Sequence, residues 1–218
     1  MKIALITDTH FGARNDSLPF NDYFYKFWEE IFFPLIDKKK IDTIIHLGDT
    51  MDRRKFVSYK IANDFRTRFL RPILDRDIHF HILIGNHDTF YKNTNDINSV
   101  EELIGDKSDR VWYYTESKTV EIGGTSIHLV PWINSENYYD SMKKIKETNA
   151  SICMGHLEIS GFEMHKGHYS EIGHPKEIFN KFNTVFSGHF HKKSDDGKIF
   201  FLGSPYQMTW SDYNCPKG

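Results

Sequence analysis

Short apolar runs of β type recur along this chain of 218 residues, and most end in an Asp, a His or an Asn, usually beside a glycine. Residues 2–7 run into Asp8-Thr9-His10, 42–47 into Gly48-Asp49, and 79–84 into Gly85-Asn86-His87-Asp88. Residues 151–154 lead into Gly155-His156, and 184–186 into Ser187-Gly188-His189, with His191 close behind. The runs at 126–130 and 198–202 end in Pro131-Trp132 and Gly203-Ser204-Pro205. Such runs, bounded by turn residues, read as buried strands. In open α/β sheets ligands gather beyond the carboxyl ends of strands. Glycine there lets the backbone turn sharply and approach a ligand closely.

Helical spacing separates the early strands. Residues 20–36 place Tyr23, Phe24, Phe27, Trp28 and Ile31 three and four apart, and Pro34 is expected to kink or end that helix. Residues 58–74 carry Ile61, Phe65 and Phe69 four apart, a stripe suited to the core. Residues 98–104 and 138–147 are shorter candidates. Alternation of strand and helix predicts an α/β fold, and the strand-rich later part predicts a second sheet. The chain shows no internal repeat, low-complexity tract or linker, so residues 1–218 read as one domain.

The 18 phenylalanines predict a thick aromatic core. A net charge of −2 excludes a global basic field, so a polyanionic partner must be held by a local patch or by metal ions. Cys153 and Cys215 form neither a disulfide framework nor a CxxC pair. The opening apolar run soon meets a carboxylate, too early for a signal peptide or a membrane span. A reducing, cytoplasmic setting without membrane attachment is expected.

The residues set at strand ends are Asp8, His10, Asp49, Asn86, His87, His156, His189 and His191. An isolated Asp-x-His or Gly-His is common by chance; their joint placement after β runs carries the weight. Imidazole with carboxylate and amide oxygen suits manganese, iron or zinc. Without thiolates the set is unlike a structural zinc site. It is also too large for one ion, whereas two ions about 3.5–4 Å apart, sharing a carboxylate, would use it well and would clamp the attacking and leaving oxygens of a displacement at phosphorus.

The order Asp8-Thr9-His10, Gly48-Asp49-Thr50-Met51-Asp52, Gly85-Asn86-His87-Asp88, Gly155-His156, Gly188-His189-Phe190-His191 resembles the calcineurin-like metallophosphoesterases across nearly the whole chain. Asp8-Thr9-His10-Phe11-Gly12, Val130-Pro131-Trp132, the segment from Gly155 to Phe162, and Phe201-Leu202-Gly203-Ser204-Pro205 narrow the resemblance to the SbcD-type DNA-repair nucleases, their meiotic-recombination counterparts and the phage versions. The resemblance implies a four-layer α/β/β/α sandwich. It implies one divalent ion on Asp8, His10, Asp49 and His191, and a second on Asp49, Asn86, His156 and His189, with Asp49 bridging and manganese preferred. It also implies His87 beside the leaving-group oxygen, with Asp88 orienting it. DNA as substrate and an SbcC-type ATPase as partner are implied as well, with a homodimer to which the helices at 58–74 and 98–104 contribute, so that the Ile61, Phe65 and Phe69 stripe is suited to a subunit contact as much as to the core. The family's capping domain and ATPase-binding segment have no counterpart within these residues.

Arg53-Arg54-Lys55 after Asp49 and Lys192-Lys193 after His191 are candidates for phosphate contact, against the alternative of a solvated face. His46, His79, His81 and His128 lie within strands and read as structural, and His165, His168 and His174 as surface residues. Trp132 reads as core packing, with base stacking the lesser alternative. Protein phosphatases of the superfamily carry Asp-Arg-Gly and Gly-Asn-His-Glu, where this chain has Asp52-Arg53-Arg54 and Asp88. The competing function is a phosphodiesterase or phosphatase acting on small nucleotides or phosphoproteins. A scaffold without catalysis is disfavoured, because no expected ligand is missing.

Overall fold

The structure is a computed structural model in which residues 1–105, 109–165, 167–215 and 217 are described. Four parallel strands, β1 (Ile3–Ile6), β2 (Thr43–His46), β3 (His79–Leu83) and β4 (Val111–Tyr114), form the first sheet in chain order. The later strands are β5 (Lys118–Ile122), β6 (Thr125–Val130), β7 (Ile152–Gly155), β8 (Glu163–His165), β9 (His168–Tyr169), β10 (Thr184–Ser187), β11 (Ser194–Asp195) and β12 (Ile199–Phe201). Six of them make the second sheet in the order β11-β12-β10-β7-β6-β5, and β8 and β9 form a separate hairpin. The second sheet is parallel through β12, β10, β7 and β6, with antiparallel strands at both edges.

Three clusters of buried apolar side chains mark the layers. Phe24, Trp28, Phe65 and Phe69 from the helices pack on Ile44, Phe80 and Ile82 of the first sheet. Ile45, Leu47 and Leu83 meet Ile127, Leu129 and Met154 between the two sheets. Cys153, Val185 and Phe201 on the far face of the second sheet meet Ile145 of a helix (α4, Tyr138–Glu147) and Phe179. Two sheets face to face with helices outside each give the expected α/β/β/α sandwich.

The long helix does not end at Pro34. Leu18–Lys26 continues through a π-helical turn, Phe27–Phe32, into Phe33–Lys39; the whole is α1. The second helix, α2, repeats the device: Tyr59–Asp64, a π turn at Phe65–Leu70, then Arg71–Leu74 with Pro72. Phe33 and Arg71 donate five residues back, to Trp28 and Arg66. The wider turn just ahead of each proline is the adjustment that admits a ring with no N–H into a helix. Ser58 caps α2, and Asn98 caps a short helix α3 (Ser99–Ile104), each by a side-chain oxygen taking a backbone N–H. Ile61, Phe65 and Phe69 are buried within the chain, so this stripe is core and not a face left for a second subunit.

Packing also fixes the loops beyond the strands. Phe11, next to His10, lies 4.9 Å from the Phe69 ring and 5.4 Å from Phe65. A buried Phe contributes roughly 1.5–3 kcal/mol, so the β1 loop is anchored by its own side chain. Backbone N–H groups of Asp8, His10 and Phe11 donate to the carbonyls of Gly48, Asp49 and Thr50, zipping the β1 and β2 loops together. The Trp132 N–H donates to the Ile84 carbonyl and ties the end of β6 to that of β3, across the two sheets.

Candidate metal centre

All seven residues expected as ligands converge where these strand ends meet. Donor atoms of Asp8, His10 and His191 lie within 4.8 Å of one another, as do those of Asp49, His156 and His189. Asp49 stands between the groups: its Oδ2 is 3.3 Å from His156 Nε2 and 3.6 Å from His10 Nε2. Asn86 Oδ1 completes the second group, 3.1 Å from His156 Nε2 and 2.9 Å from His189 Nδ1. Asp8, His10, Asp49 and His189 all have positive φ, of 52°, 43°, 56° and 85°. Non-glycine residues in sparsely populated conformations cost of order 1–3 kcal/mol each and persist only where surroundings over-determine them. Here the zipped β1 and β2 loops hold the first three, and the His189 N–H donates to the Asp8 carboxylate at 3.1 Å.

Close approach explains two of the glycines. A Cβ on Gly85 would lie 2.2 Å from the Asp49 nitrogen, and one on Gly48 2.5 Å from His156 Nδ1. The strand-end glycines therefore let the donor-bearing segments touch.

The electrostatics fit a cation. Burial raises the carboxyls of Asp8 and Asp49, but the facing imidazoles outweigh it and hold both well below the usual carboxylate range. Among the described residues their charged partners are histidines only. Burial lowers His10, yet Asp52, Asp8 and Asp49 push it up to about 10. Burial likewise lowers His156, and Asp49 with Asp8 raises it to about 9. Burial and the charge on His10, whose Nε2 is only 3.1 Å from His191 Nε2, press His191 down to about 4. Two ring nitrogens that close share one proton at most, and a cation between nitrogen and carboxylate donors does the work that protons otherwise must. The residues present thus suit divalent metal, and the absence of thiolates suits a catalytic rather than a structural site.

His87 and Asp88 are placed differently from expectation. His87 is half-buried; its Nδ1 lies 2.6 Å from the Asp52 carbonyl and its ring 4.8 Å from that of His10. Asp88 does not orient it. Its carboxylate accepts from the Met51 N–H at 3.0 Å, the Gly85 N–H at 2.9 Å and the Ser99 hydroxyl at 3.4 Å, so it joins three backbone segments under the site. Burial and the nearby Asp49 push it up to about 6.

Asp52 is the group missed as a site residue, although the Gly-Asp-x-x-Asp spacing contains it. Its carboxylate is 3.3 Å from His10 Nδ1, and with His10 and His87 it forms a third group of potential ligands.

The basic runs are mostly engaged. Arg53 donates to Asn15 Oδ1 at 2.5 Å, pairs with Asp16 at 3.7 Å and covers the Phe56 ring at 4.8 Å. Lys55 stands 5.8 Å from the Phe90 ring. Lys192 is paired with Glu163, which removes it from the free cations, while Lys193 is exposed. Arg54 Nη1 is buried without a hydrogen-bond partner. Trp132 is a wall of the site, its ring 5.1 Å from His189. His46, His81 and His128 are buried, as structural residues should be, whereas His79 at the start of β3 is exposed beside Trp112; His168 is exposed, His174 stacks on Tyr138 at 5.9 Å, and the His165 side chain lies outside the described residues.

The profile of the calcineurin-like phosphoesterases matches residues 1–193. The chain belongs to that family. It is 33% identical to exonuclease subunit 1 of enterobacteria phage T4, over all of this chain and 63% of the phage protein. It is 27% identical to the DNA double-strand break repair protein Mre11 of Saccharolobus solfataricus, over 94% of this chain and 54% of that one. The chain therefore spans between half and two thirds of the length of these relatives. Among solved structures it is similar in fold to GAP50, the anchor in the inner membrane complex of Plasmodium, with a TM-score of 0.53 at 11% identity, covering 92% of this chain and 70% of that one. The phage and archaeal relatives fit the DNA-repair nuclease branch, and the likeness to GAP50 shows the fold alone. Among the described residues no helix is long and apolar enough to cross a membrane.

Proposed function

We propose that residues 1–218 form a nuclease domain that hydrolyses phosphodiester bonds in DNA with two divalent ions, manganese being the preferred metal. The observation that carries this reading is the position of Asp49 Oδ2, within 3.6 Å of imidazole nitrogens from both donor groups. Asp8, His10, Asp49 and His191 would hold one ion, and Asp49, Asn86, His156 and His189 the other. When bound, the ions polarise the phosphate and lower the pKa of attacking water. The chain's own groups do the rest. Asp49 Oδ1 accepts the His87 N–H at 2.7 Å, which ties the bridging carboxylate to the segment that carries His87. The Asp52 carbonyl holds His87 Nδ1, which fixes the ring and leaves Nε2 as the nitrogen that would serve the leaving oxygen.

Similarity to a phage exonuclease subunit and to a double-strand-break repair protein supports DNA as the substrate. The phage relative is named as a subunit, which supports work beside a partner protein; our reading of that partner is an SbcC-type ATPase, and of the location, the cytoplasm. A homodimer would use other surface than the buried α2 stripe; Phe56, Tyr59 and Ile97 are exposed apolar side chains near α2 and α3.

The test compares single- and double-stranded DNA with bis-p-nitrophenyl phosphate, each with manganese or magnesium. Metal-dependent cleavage of DNA is expected. Cleavage of the small diester alone would transfer the assignment to small-nucleotide phosphodiesterases, and metal-independent activity would sink the two-ion reading.

A further inference from the structure

An imidazole that binds a cation through one nitrogen needs its other nitrogen held, because that partner decides which nitrogen carries the hydrogen. One imidazole here has such a partner, the Leu47 carbonyl 2.7 Å from His156 Nδ1; His10 Nδ1 makes no hydrogen bond and has the Asp52 carboxylate only at ion-pair distance, 3.3 Å. His189 is built the other way round. Its Nδ1 faces the donor cluster at Asn86 Oδ1, and its Nε2 faces outward to Glu158 Oε1, 3.8 Å away.

We propose that Glu158 is a positioning residue that keeps hydrogen on His189 Nε2 and so leaves the Nδ1 lone pair for a divalent ion. The inference rests on the two-ion reading above. Trp132 and Phe190 lie against the His189 ring, each with its centroid 5.1 Å from it. They confine the ring plane but do not distinguish nitrogen from carbon, and a half-turn about the outer bond would exchange Nδ1 for a carbon. A carboxylate beside the outer nitrogen does distinguish them, since only N–H donates to it.

The segment is built to hold Glu158 in place. Two residues after His156, it lets one strand-end loop carry a donor and orient another. Its carbonyl accepts the His174 N–H at 2.7 Å, and the bridge between Ile159 and His174 continues that pairing. Gly173, at φ 108°, passes so close that a Cβ there would lie 2.6 Å from the Glu158 carbonyl oxygen and 3.0 Å from its Cγ. The Glu158 side chain is 27% exposed, at the rim of a site meant for anions, where an unpaired carboxylate would repel substrate.

Manganese titration calorimetry on metal-free wild type, Glu158→Gln and Glu158→Ala tests the assignment, alongside thermal midpoints of the metal-free proteins and nitrogen-15 spectra of labelled histidine. Wild type should take two ions. Glu158→Ala should weaken one of them about 10–100-fold and leave the other unchanged. Glu158→Gln, which keeps an oxygen acceptor without the charge, should fall between, with midpoints close to wild type. The spectra should show His189 as the Nε2–H form in wild type and as a mixture in Glu158→Ala. Unchanged affinities in Glu158→Ala, or equal loss at both sites with a lowered midpoint, would overturn the role while leaving the two-ion reading intact. A wild type that binds fewer than two ions overturns that reading, and this inference with it.

Discussion

Gly85→Ala is the sharpest probe of the centre, because it adds one methyl group and changes no charge. The added carbon would sit 2.2 Å from the Asp49 nitrogen, 2.3 Å from its Oδ1 and 2.9 Å from its Cγ. Ordinary contact begins near 3.4 Å, so the overlap with a backbone atom exceeds 1 Å, and either Asp49 or the end of β3 must move. Gly85 has no positive φ, so the substitution strains packing and not backbone conformation. Overpacking of this kind costs about 1–3 kcal/mol. Misplacing a reacting group by about 1 Å costs about 10²-fold in rate. Asp49 is the residue whose Oδ2 reaches both donor groups, so manganese affinity should fall at both sites together. The assay is hydrolysis of bis-p-nitrophenyl phosphate, read with calorimetric manganese binding and the thermal midpoint of the metal-free protein. Gly124→Ala is the control: a Cβ there meets nothing within 4 Å and carries only the strain of φ 77°. It should lose some stability and keep full activity. A Gly85→Ala protein with wild-type metal binding and turnover would refute the placement of Asp49 against this strand end.

His87→Ala should keep both ions and lose roughly 10²–10⁴ in rate, the span of general acid catalysis; a metal-loaded variant with wild-type turnover removes the role. Arg53→Ala with Arg54→Ala should weaken DNA binding and flatten its salt dependence by about 0.7–0.9 per lost phosphate contact, while hydrolysis of the small diester stays level; equal loss of both activities would assign the arginines to the fold instead. Burial, with His79 adding, pushes His81 down to about 4, and burial, with Lys181 and Lys144 adding, does the same to His128. Both folded values lie below the ordinary 6.5, so their contribution is full above about pH 6.5 and is lost as pH falls towards 4, by up to about 3 kcal/mol each. Urea midpoints of the metal-free protein should drop between about pH 7 and about pH 4.5, and a flat profile over that range would contradict neutral burial of these rings.

What could be read from the chain, and what could not, divides by the range of the interaction involved. Strand ends were legible because an apolar run followed by Gly-Asp, Gly-Asn or Gly-His is local chemistry, and parallel sheets bring such ends to one edge. The helices read at 58–74 and 98–104 do begin at Ser58 and Asn98, whose capping role came only with the structure. Whether Pro34 would kink its helix or end it was not legible, because its effect depends on the hydrogen-bonding pattern of the preceding turn, and a π turn leaves no mark in hydrophobic spacing. The outward partners of the imidazoles were invisible for another reason. Asp52 meets His10, Glu158 meets His189 and Lys192 meets Glu163 only after the strands are in register. Residue type foretold that Asp88 would be ionisable and near His87, but its neighbours Met51, Gly85 and Ser99 come from three separate segments. Donor identity in this centre is therefore set by local turn chemistry. Donor orientation is set by long-range packing, and substitutions at the orienting residues should change affinity in grades where substitutions of the donors abolish it.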